Sequence, residues 1–567
     1  MRPCDEQAAA RLAAELIIPL PIARLLIGRK ISDPAAARMF LHGTLDDLHD
    51  PFLLGGMNEA VERIFRAVEG GERILIFGDY DVDGVLSVVM LRETLKSLNA
   101  HVDHFIPERL KDGYGIKDEH IGVAVERGAK LIISVDCGIK SNGFVRAARE
   151  KGIDVIITDH HLPGPELPEA LAVLDPVLDG SGYPDRNLAG VGVAFKLIQA
   201  LQERAQMDPQ KKSELVRSYI KLVSIGTVSD VAKLTGENRI LVKYGLRELS
   251  GRRHRNHGLN CLIDVAGLTG KKITEADIGF RLGPRINAAG RMKSADDAVN
   301  LFFSESPEAA RLAAELDRHN AQRQSAEKRI YDQACARIEK GGLDKKHKIL
   351  ILGCPDWHRG IIGIVASKLK EDYGRPVILF ACDDGTAYGS GRSIPEFSLI
   401  NCLYECRNLF LTYGGHELAA GCTLRLEDLP GFKSKANGVA EANISDEDLR
   451  RKIVIDAKLD FGEIDPPFLE HLELLAPFGV GNPRPVFFSE EVEVVGPPRM
   501  LKGKYAKFLF RQGGRTIEGI GWDKSSWDPL VKAGDRVQAA FSPQISTYLG
   551  LEQLTLKLAG MKSGVQK

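Results

Sequence analysis

The sequence predicts a multidomain α/β protein that ends in a small β-barrel. Three observations point there. At 567 residues the chain is too long for one hydrophobic core, and roughly 150 residues per domain gives three or four domains. Between residues 73 and 175 short apolar runs alternate with helical stretches, as in a parallel sheet covered on both faces. Beyond residue 490, VEVVG, AKFLFR, TIEGIGW, DRVQAAF and LEQLTLKL read as short strands between Gly-bearing turns, the pattern of a barrel.

Each element follows in order. Residues 1–69 carry AAARLAAEL and NEAVERIFRAVEGG, whose apolar spacing predicts an N-terminal helical segment. Residues 70–235 form the first α/β unit. RILIFGDYD, HVDHFIP, KLIISVDCG and DVIITDHH are its apolar runs, and DGVLSVVMLRETLKSL and VGVAFKLIQAL are two of its helices. Residues 236–345 read as a helical connector, closed by more than thirty residues from Glu308 without an interior Gly or Pro. HKILILG opens a second α/β unit at 346–447, and 448–567 holds the barrel.

Composition narrows the function classes. With 44% apolar and 27% charged residues, the chain is neither disordered nor collagen-like. No run of 18 apolar residues predicts a membrane span, and Asp5 and Glu6 stand where a signal peptide needs basic residues. Nine scattered Cys without metal-ligand spacing fit a reduced, cytoplasmic protein. The net charge is −1, but residues 495–567 carry twelve Lys/Arg against five Asp/Glu, a local +7. A basic tail on an acidic body points to a polyanionic partner.

The chemistry gathers at strand ends, where parallel sheets bind ligands. Asp79, Asp81 and Asp83 follow RILIFG; Asp136 follows LIISV; Asp159, His160 and His161 follow DVIIT; Asp230 follows KLVSIGTVS. One such acid is commonly a helix cap. Four strand ends with acids, one with paired His, indicate a site. Spacing i, i+2, i+4 in an extended segment would point Asp79, Asp81 and Asp83 to one face. Crowded carboxylates repel unless a cation neutralises them. DYDVDG also matches the start of an EF-hand loop, but Met90 stands where that loop needs a Glu, and the preceding run is strand-like. Carboxylates with one or two imidazoles suit two Mn²⁺ or Mg²⁺ ions and metal-assisted phosphoester hydrolysis.

GDYDVDG, ITDHH and GTVSDV resemble the DHH phosphoesterase superfamily. HFIPERLKDGYG, GFRLGPRINAAGRM, WHRGIIGIVASKL, GSGRSIPEF, YGGHELAAG and LAPFGVGNPRPVF occur in the order of RecJ-type single-strand-specific DNA exonucleases, a resemblance spanning about 70–560. It implies a catalytic DHH domain, a long connecting helix, a DHHA1 domain and an OB-fold enclosing a cleft for one strand. It implies Asp79, Asp81, Asp83, Asp136, His160 and Asp230 as metal ligands, with His161 beside the scissile phosphate and Asp136 and His160 in the catalytic set. Ser229 and Lys233 depart from the family's usual flank but leave Asp230 intact.

For substrate binding, the resemblance implies Arg109, Ser390 and Arg392 at the 5′ end, with His358, Arg359 and Gly414, Gly415 and His416 near the strand. Arg285 and Arg291 are further candidates, with structural ion pairs as their alternative. Lys502, Lys504, Tyr505, Lys507, Phe508, Arg511 and Arg515 mix cations with aromatics as single-strand binding requires, although Phe508 and Phe510 also fit a barrel core. The implied activity is degradation of single-stranded DNA from 5′ to 3′ into mononucleotides, in recombination and repair. A single-strand-binding protein and a helicase are the implied partners, and a monomer the implied state. A compact phosphodiesterase for short oligonucleotides, or a non-cutting scaffold, are the alternatives. The extension at 430–567 weighs against the first, and the intact acids against the second.

Overall fold

The computed structural model describes residues 1–108, 115–251, 254–292, 295–501, 505–522, 527, 531–548 and 551–563. The first sheet comprises β1 (Arg73–Gly78), β2 (His101–Phe105), β3 (Leu131–Val135), β4 (Asp154–Thr158) and β5 (Ala172–Leu174). They pair in parallel in the order β2-β1-β3-β4-β5. Side chains alternate between two cores, as the two-residue period of a strand demands. Ile74, Ile76, Leu131 and Ile133 enter one core with the helices Val82–Ser97 and Gly190–Arg204; Leu75, Phe77, Ile132 and Val155 enter the other with Asn142–Glu150.

The register sets up the site. Gly78 pairs with Val135, Val135 with Thr158, and Thr158 with Leu174. The next residue on each strand is an aspartate: Asp79, Asp136, Asp159 and Asp175. Four acids therefore stand side by side along the carboxyl edge, one strand spacing apart, about 4.8 Å.

The expected N-terminal segment divides between two cores. Met57–Glu69 packs into the first core, beneath the sheet. The helices Glu6–Leu16, Leu20–Gly28 and Pro34–His42 instead share a core with the C-terminal barrel, where Leu12, Ile22 and Leu26 meet Phe461, Phe468 and Phe487. The expected connector divides too. Gly236–Leu249, His257–Val265 and Asp296–Phe303 bury apolar residues in the first core. Glu308–Gly341 is the connecting helix: Leu312 and Leu316 lie in the first core, Ile330, Ala334 and Ile338 in the next. Its 34 residues span about 51 Å.

The second sheet orders β6 (Leu350–Cys354), β7 (Val377–Asp383), β8 (Thr386–Arg392), β9 (Phe410–Gly415) and β10 (Ala419–Arg425) as β6-β7-β8-β10-β9, with β6 and β7 parallel and the rest antiparallel. The third contains β11 (Ala457–Lys458), β12 (Phe487–Val494), β13 (Arg499–Leu501), β14 (Tyr505–Gln512), β15 (Arg515–Gly521), β16 (Arg536–Tyr548) and β17 (Leu551–Ser563). Because β12 pairs with both β16 and β14, the circuit β12-β16-β17-β15-β14 closes into the expected barrel. No described helix is long and apolar enough to cross a membrane.

Candidate metal centre

The first acidic motif is not extended. The chain turns at Asp81, which caps the helix Val82–Ser97 by accepting from the N–H groups of Asp83 and Gly84 at 2.9 and 3.2 Å. Asp79 thus ends a strand, Asp81 is a cap, and Asp83 lies buried in the first helical turn. Gly84 permits the close approach: a Cβ there would come 2.4 Å from the Asp79 carbonyl oxygen.

The three acids still converge with the other predicted ligands. Ligand atoms of Asp79, Asp81 and Asp136 lie within 4.8 Å of one another, as do those of Asp83, His160 and Asp230, and of Asp136, His160 and His161. Asp136 sits at φ +59°, a left-handed conformation costly for a non-glycine residue and most common at functional sites. Its backbone N–H donates to the Thr158 carbonyl, which fixes it to β4. Asp83 accepts from the N–H groups of Gly190 and Val191 at 2.8 and 2.7 Å, at the start of the helix Gly190–Arg204.

These residues fit a divalent cation. Burial, then the charges of Asp83, Asp81, Asp79 and Asp230, pushes the Asp136 carboxyl well above its ordinary range. Burial and the Asp230 charge raise Asp83 to about 8, and burial with the Asp81 charge raises Asp230 to about 7. Asp136 Oδ1 and His160 Nε2 face each other at 3.1 Å but out of hydrogen-bonding geometry, and neither buried atom has a hydrogen-bond partner among the described residues. Inward-facing lone pairs among mutually repelling oxygens are what a hard or borderline cation satisfies.

Asp159, although it opens the DHH triplet, faces away from this cluster. It accepts from His160 N at 2.7 Å, His161 N at 3.1 Å, His161 Nδ1 at 2.7 Å and Ile139 N at 2.9 Å. Burial, the largest single influence, would raise its carboxyl; the hydrogen bond and charge of His161, the Ile139 N–H and the His160 charge together outweigh it and lower the carboxyl. The converse holds for His161, where burial disfavours the charge but Asp159 lifts the imidazole to about 9. His161 is therefore an imidazolium at neutral pH, oriented by Asp159.

The second unit supplies an anion-binding candidate. Ser390 and Arg392 on β8 stand over the start of the helix Ile362–Tyr373, where a Cβ on Gly363 would come 2.8 Å from Ser390 Oγ and 3.3 Å from an Arg392 guanidinium nitrogen. Arg392 pairs in register with Ala419, whose carbonyl accepts from His416 N at 2.8 Å. Gly414, Gly415 and His416 thus lie exposed at the same sheet end. Arg291 reaches across from the first unit and donates to the Gly360 carbonyl at 2.8 Å, while Gly360 N donates to His358 Nδ1 at 3.1 Å. Arg359 stacks on Tyr388 at 3.4 Å.

Comparison with known proteins agrees with this architecture. The DHH family N-terminal domain matches residues 73–227, the DHHA1 domain 346–442 and the RecJ OB domain 455–560. The single-stranded-DNA-specific exonuclease RecJ of Bacillus subtilis (strain 168) is 38% identical over 548 residues, 96% of this chain and 68% of that protein. The chain belongs to the RecJ family. RecJ of Escherichia coli (strain K12) is 34% identical, with 89% of each chain covered. Crystal structures of RecJ from Thermus thermophilus are similar. The Mn²⁺ complex has a TM-score of 0.83 at 30% identity, covering 99% of this chain and 78% of that one; the Mg²⁺ complex has 0.78 at 28%, covering 99% and 77%.

Against this RecJ framework several expected contacts change. Arg285 bonds to Asp317 at 2.8 Å and to the Arg281 and Val265 carbonyls, so in this structure its guanidinium is engaged within the fold. Phe508 and Phe510 are barrel core, stacked at 5.4 Å, and offer no face to a base. Lys507 pairs with Glu518, and Arg511 with Glu493. Tyr505 instead forms an edge-on pair with the exposed Trp522 at 4.8 Å, which the sequence did not single out. Arg109, Lys502 and Lys504 lie outside the described residues. Asp175 was also missed: it is buried beside Asp159 and lifted to about 7, mainly by burial.

Proposed function

We propose that this protein is a metal-dependent exonuclease acting on single-stranded DNA. Its finer properties in this reading are 5′→3′ polarity, mononucleotide products and a role in recombination and repair. The observation that carries it is the pair of adjoining clusters Asp79/Asp81/Asp136 and Asp83/His160/Asp230, joined where Asp136 Oδ1 and His160 Nε2 face each other at 3.1 Å without a hydrogen bond. The RecJ relatives supply the substrate class, and the Thermus thermophilus complexes the cofactor class, Mn²⁺ or Mg²⁺.

In this reading those six residues hold the cation or cation pair. Bound there, it supplies Lewis-acid polarisation of the phosphoryl oxygens and a water of lowered pKa. His161, kept protonated by Asp159, donates a charge-assisted hydrogen bond to the phosphoryl oxygens as negative charge develops there. Ser390 and Arg392 bind the terminal 5′-phosphate, with Arg291, His358, Arg359 and the 414–416 segment beside them. The barrel holds the outgoing strand, and Lys507 contributes from its surface by exchanging its Glu518 partner for a phosphate. Helicase and single-strand-binding partners, a monomeric state and a cytoplasmic location complete the reading.

A single-stranded DNA labelled at its 3′ end tests this, incubated with Mn²⁺, Mg²⁺ or chelator beside a duplex and an RNA of the same sequence. We expect a ladder shortening from the 5′ end on single-stranded DNA only, abolished by chelator. Cleavage confined to very short RNA, or binding without cleavage, would overturn the proposal.

A further inference from the structure

Between the helices Glu275–Asp277 and Gly283–Met292 the backbone widens into a π-helical turn, Ile278–Leu282. Such turns occur mostly at functional sites, where they redirect a side chain. Here Ile278 and Leu282 are fully buried in the first core, while Phe280 is thrown outward and 79% exposed. An exposed Phe of this degree adds little to the core and stands in water at a cost.

Phe280 forms the ridge between two hollows. One, of about 470 Å³, is walled by Val228, Ser229, Val231 and Ala232, the residues flanking Asp230, and by Phe478 and Val480 of the barrel-side loop. Its rim is apolar and open: Val231 is 64% and Val480 46% exposed. The other, of about 400 Å³, contains Arg291, Arg323 and Ile364, the neighbour of Gly363 beneath Ser390 and Arg392. Gly279, Phe280, Pro284 and Asn287 border both. The ridge thus stands between barrel and anion pocket, with a metal-ligand segment as one wall.

We propose that the apolar hollow seats one nucleobase of the substrate strand and that Phe280 stacks on it, setting which phosphodiester stands at the metal centre. This rests on the exonuclease reading and adds a subsite to it. The occupant is a base because the hollow is mainly apolar and borders the hollow that holds Arg291 and Arg323, while its own charged neighbours, Glu275 and the Arg484 that lies over Phe478, pair with each other at 3.9 Å. An aromatic ridge accepts any base, since every base has a π-face. It also selects against duplex, whose bases are already stacked and paired.

The test scans 2-aminopurine along a 5′-phosphorylated decanucleotide bound in chelator, using the full-length protein, Phe280→Ala and Phe280→Trp. Wild type should change the fluorescence at one or two adjacent positions. Phe280→Trp should keep that pattern, and Phe280→Ala should lose it and bind about tenfold more weakly, the scale of one base–aromatic stack. An abasic residue at the marked position should weaken wild type by a similar factor and Phe280→Ala no further. All three proteins should melt together, because the side chain lies outside the core. The same fluorescence profile in Phe280→Ala, or additive losses from the abasic residue, would overturn the proposal while the enzyme still shortens single strands with metal. A wild type that neither binds nor shortens such strands would instead sink the exonuclease reading and this subsite with it.

Discussion

Asp159 shows how much one carboxylate does without touching the metal cluster. It takes four hydrogen bonds, and the one from His161 Nδ1 at 2.7 Å holds that imidazole charged up to about pH 9. The sign follows from linkage: the pair's stability is fully present below the unfolded histidine value, about 6.5, and is lost as pH rises through about 9. Asp159→Asn should lower kcat roughly 100-fold, the scale of one lost hydrogen-bond donor to developing charge. It should also move the alkaline limb of the pH–rate profile to lower pH. A profile reduced in height but unmoved would count against the charged role of His161. Asp79, Asp136 and the DHH triplet were legible because each follows an apolar strand; Asp230, expected at a fourth strand end, instead closes the helix Pro209–Ser229, and the division of labour among Asp159, His160 and His161 was not legible. Adjacent residues on one loop carry no record in their spacing of which points inward. Asp175 escaped notice because its strand, Ala172–Leu174, is too short to leave a pattern. Phe280 escaped because a π-helical turn breaks the period by which exposed faces are read.

At the level of elements, the parallel sheet and the barrel were legible from alternation alone, but the geometry of the first motif was not. An i, i+2, i+4 spacing describes a strand face only if the strand continues. Asp81 ends it by accepting two backbone N–H groups, which favours the helix at once. The motif therefore depends on how closely the helix Val82–Ser97 sits against the end of β1. Gly84→Ala places a Cβ 2.4 Å from the Asp79 carbonyl oxygen, so helix or strand must shift. We expect it to cost about 1–3 kcal/mol of stability and to lower metal-dependent activity more than 100-fold, since a displacement of about 1 Å at a reacting site costs that much. Gly122→Ala is the control: nothing lies within 4 Å of its Cβ, in the helix Ile121–Glu126, and it should be neutral or slightly stabilising. Equal activity of the two variants in a chelator-controlled assay would show that the acids tolerate movement.

Across the whole molecule, three units meet at Arg239. Buried in the helix Gly236–Leu249, it donates to the carbonyls of Phe40, Leu474 and Leu475 and lies over the Phe40 ring at 3.9 Å. Arg239→Met keeps the bulk but leaves those carbonyls unpaired, at about 1–3 kcal/mol for each that stays dry. Calorimetry should then resolve one unfolding transition into two, with the barrel and N-terminal helices melting first; a single transition at the wild-type temperature would refute that coupling. Which unit each helix joins was not legible, because an amphipathic period reports that a face is buried and not against what. The apolar faces of the helices between Glu6 and His42 share their core with residues from Ala457 to Leu558, the last buried one among the described residues, and are not fully matched until Leu558 has been made. At roughly 5–20 residues per second, translation of the intervening chain takes about half a minute to nearly two minutes. Throughout that interval those helices keep an apolar face uncovered, while the first core, made of residues 54–316, is free to fold. The helices between Glu6 and His42 are therefore made well before the barrel residues that cover them.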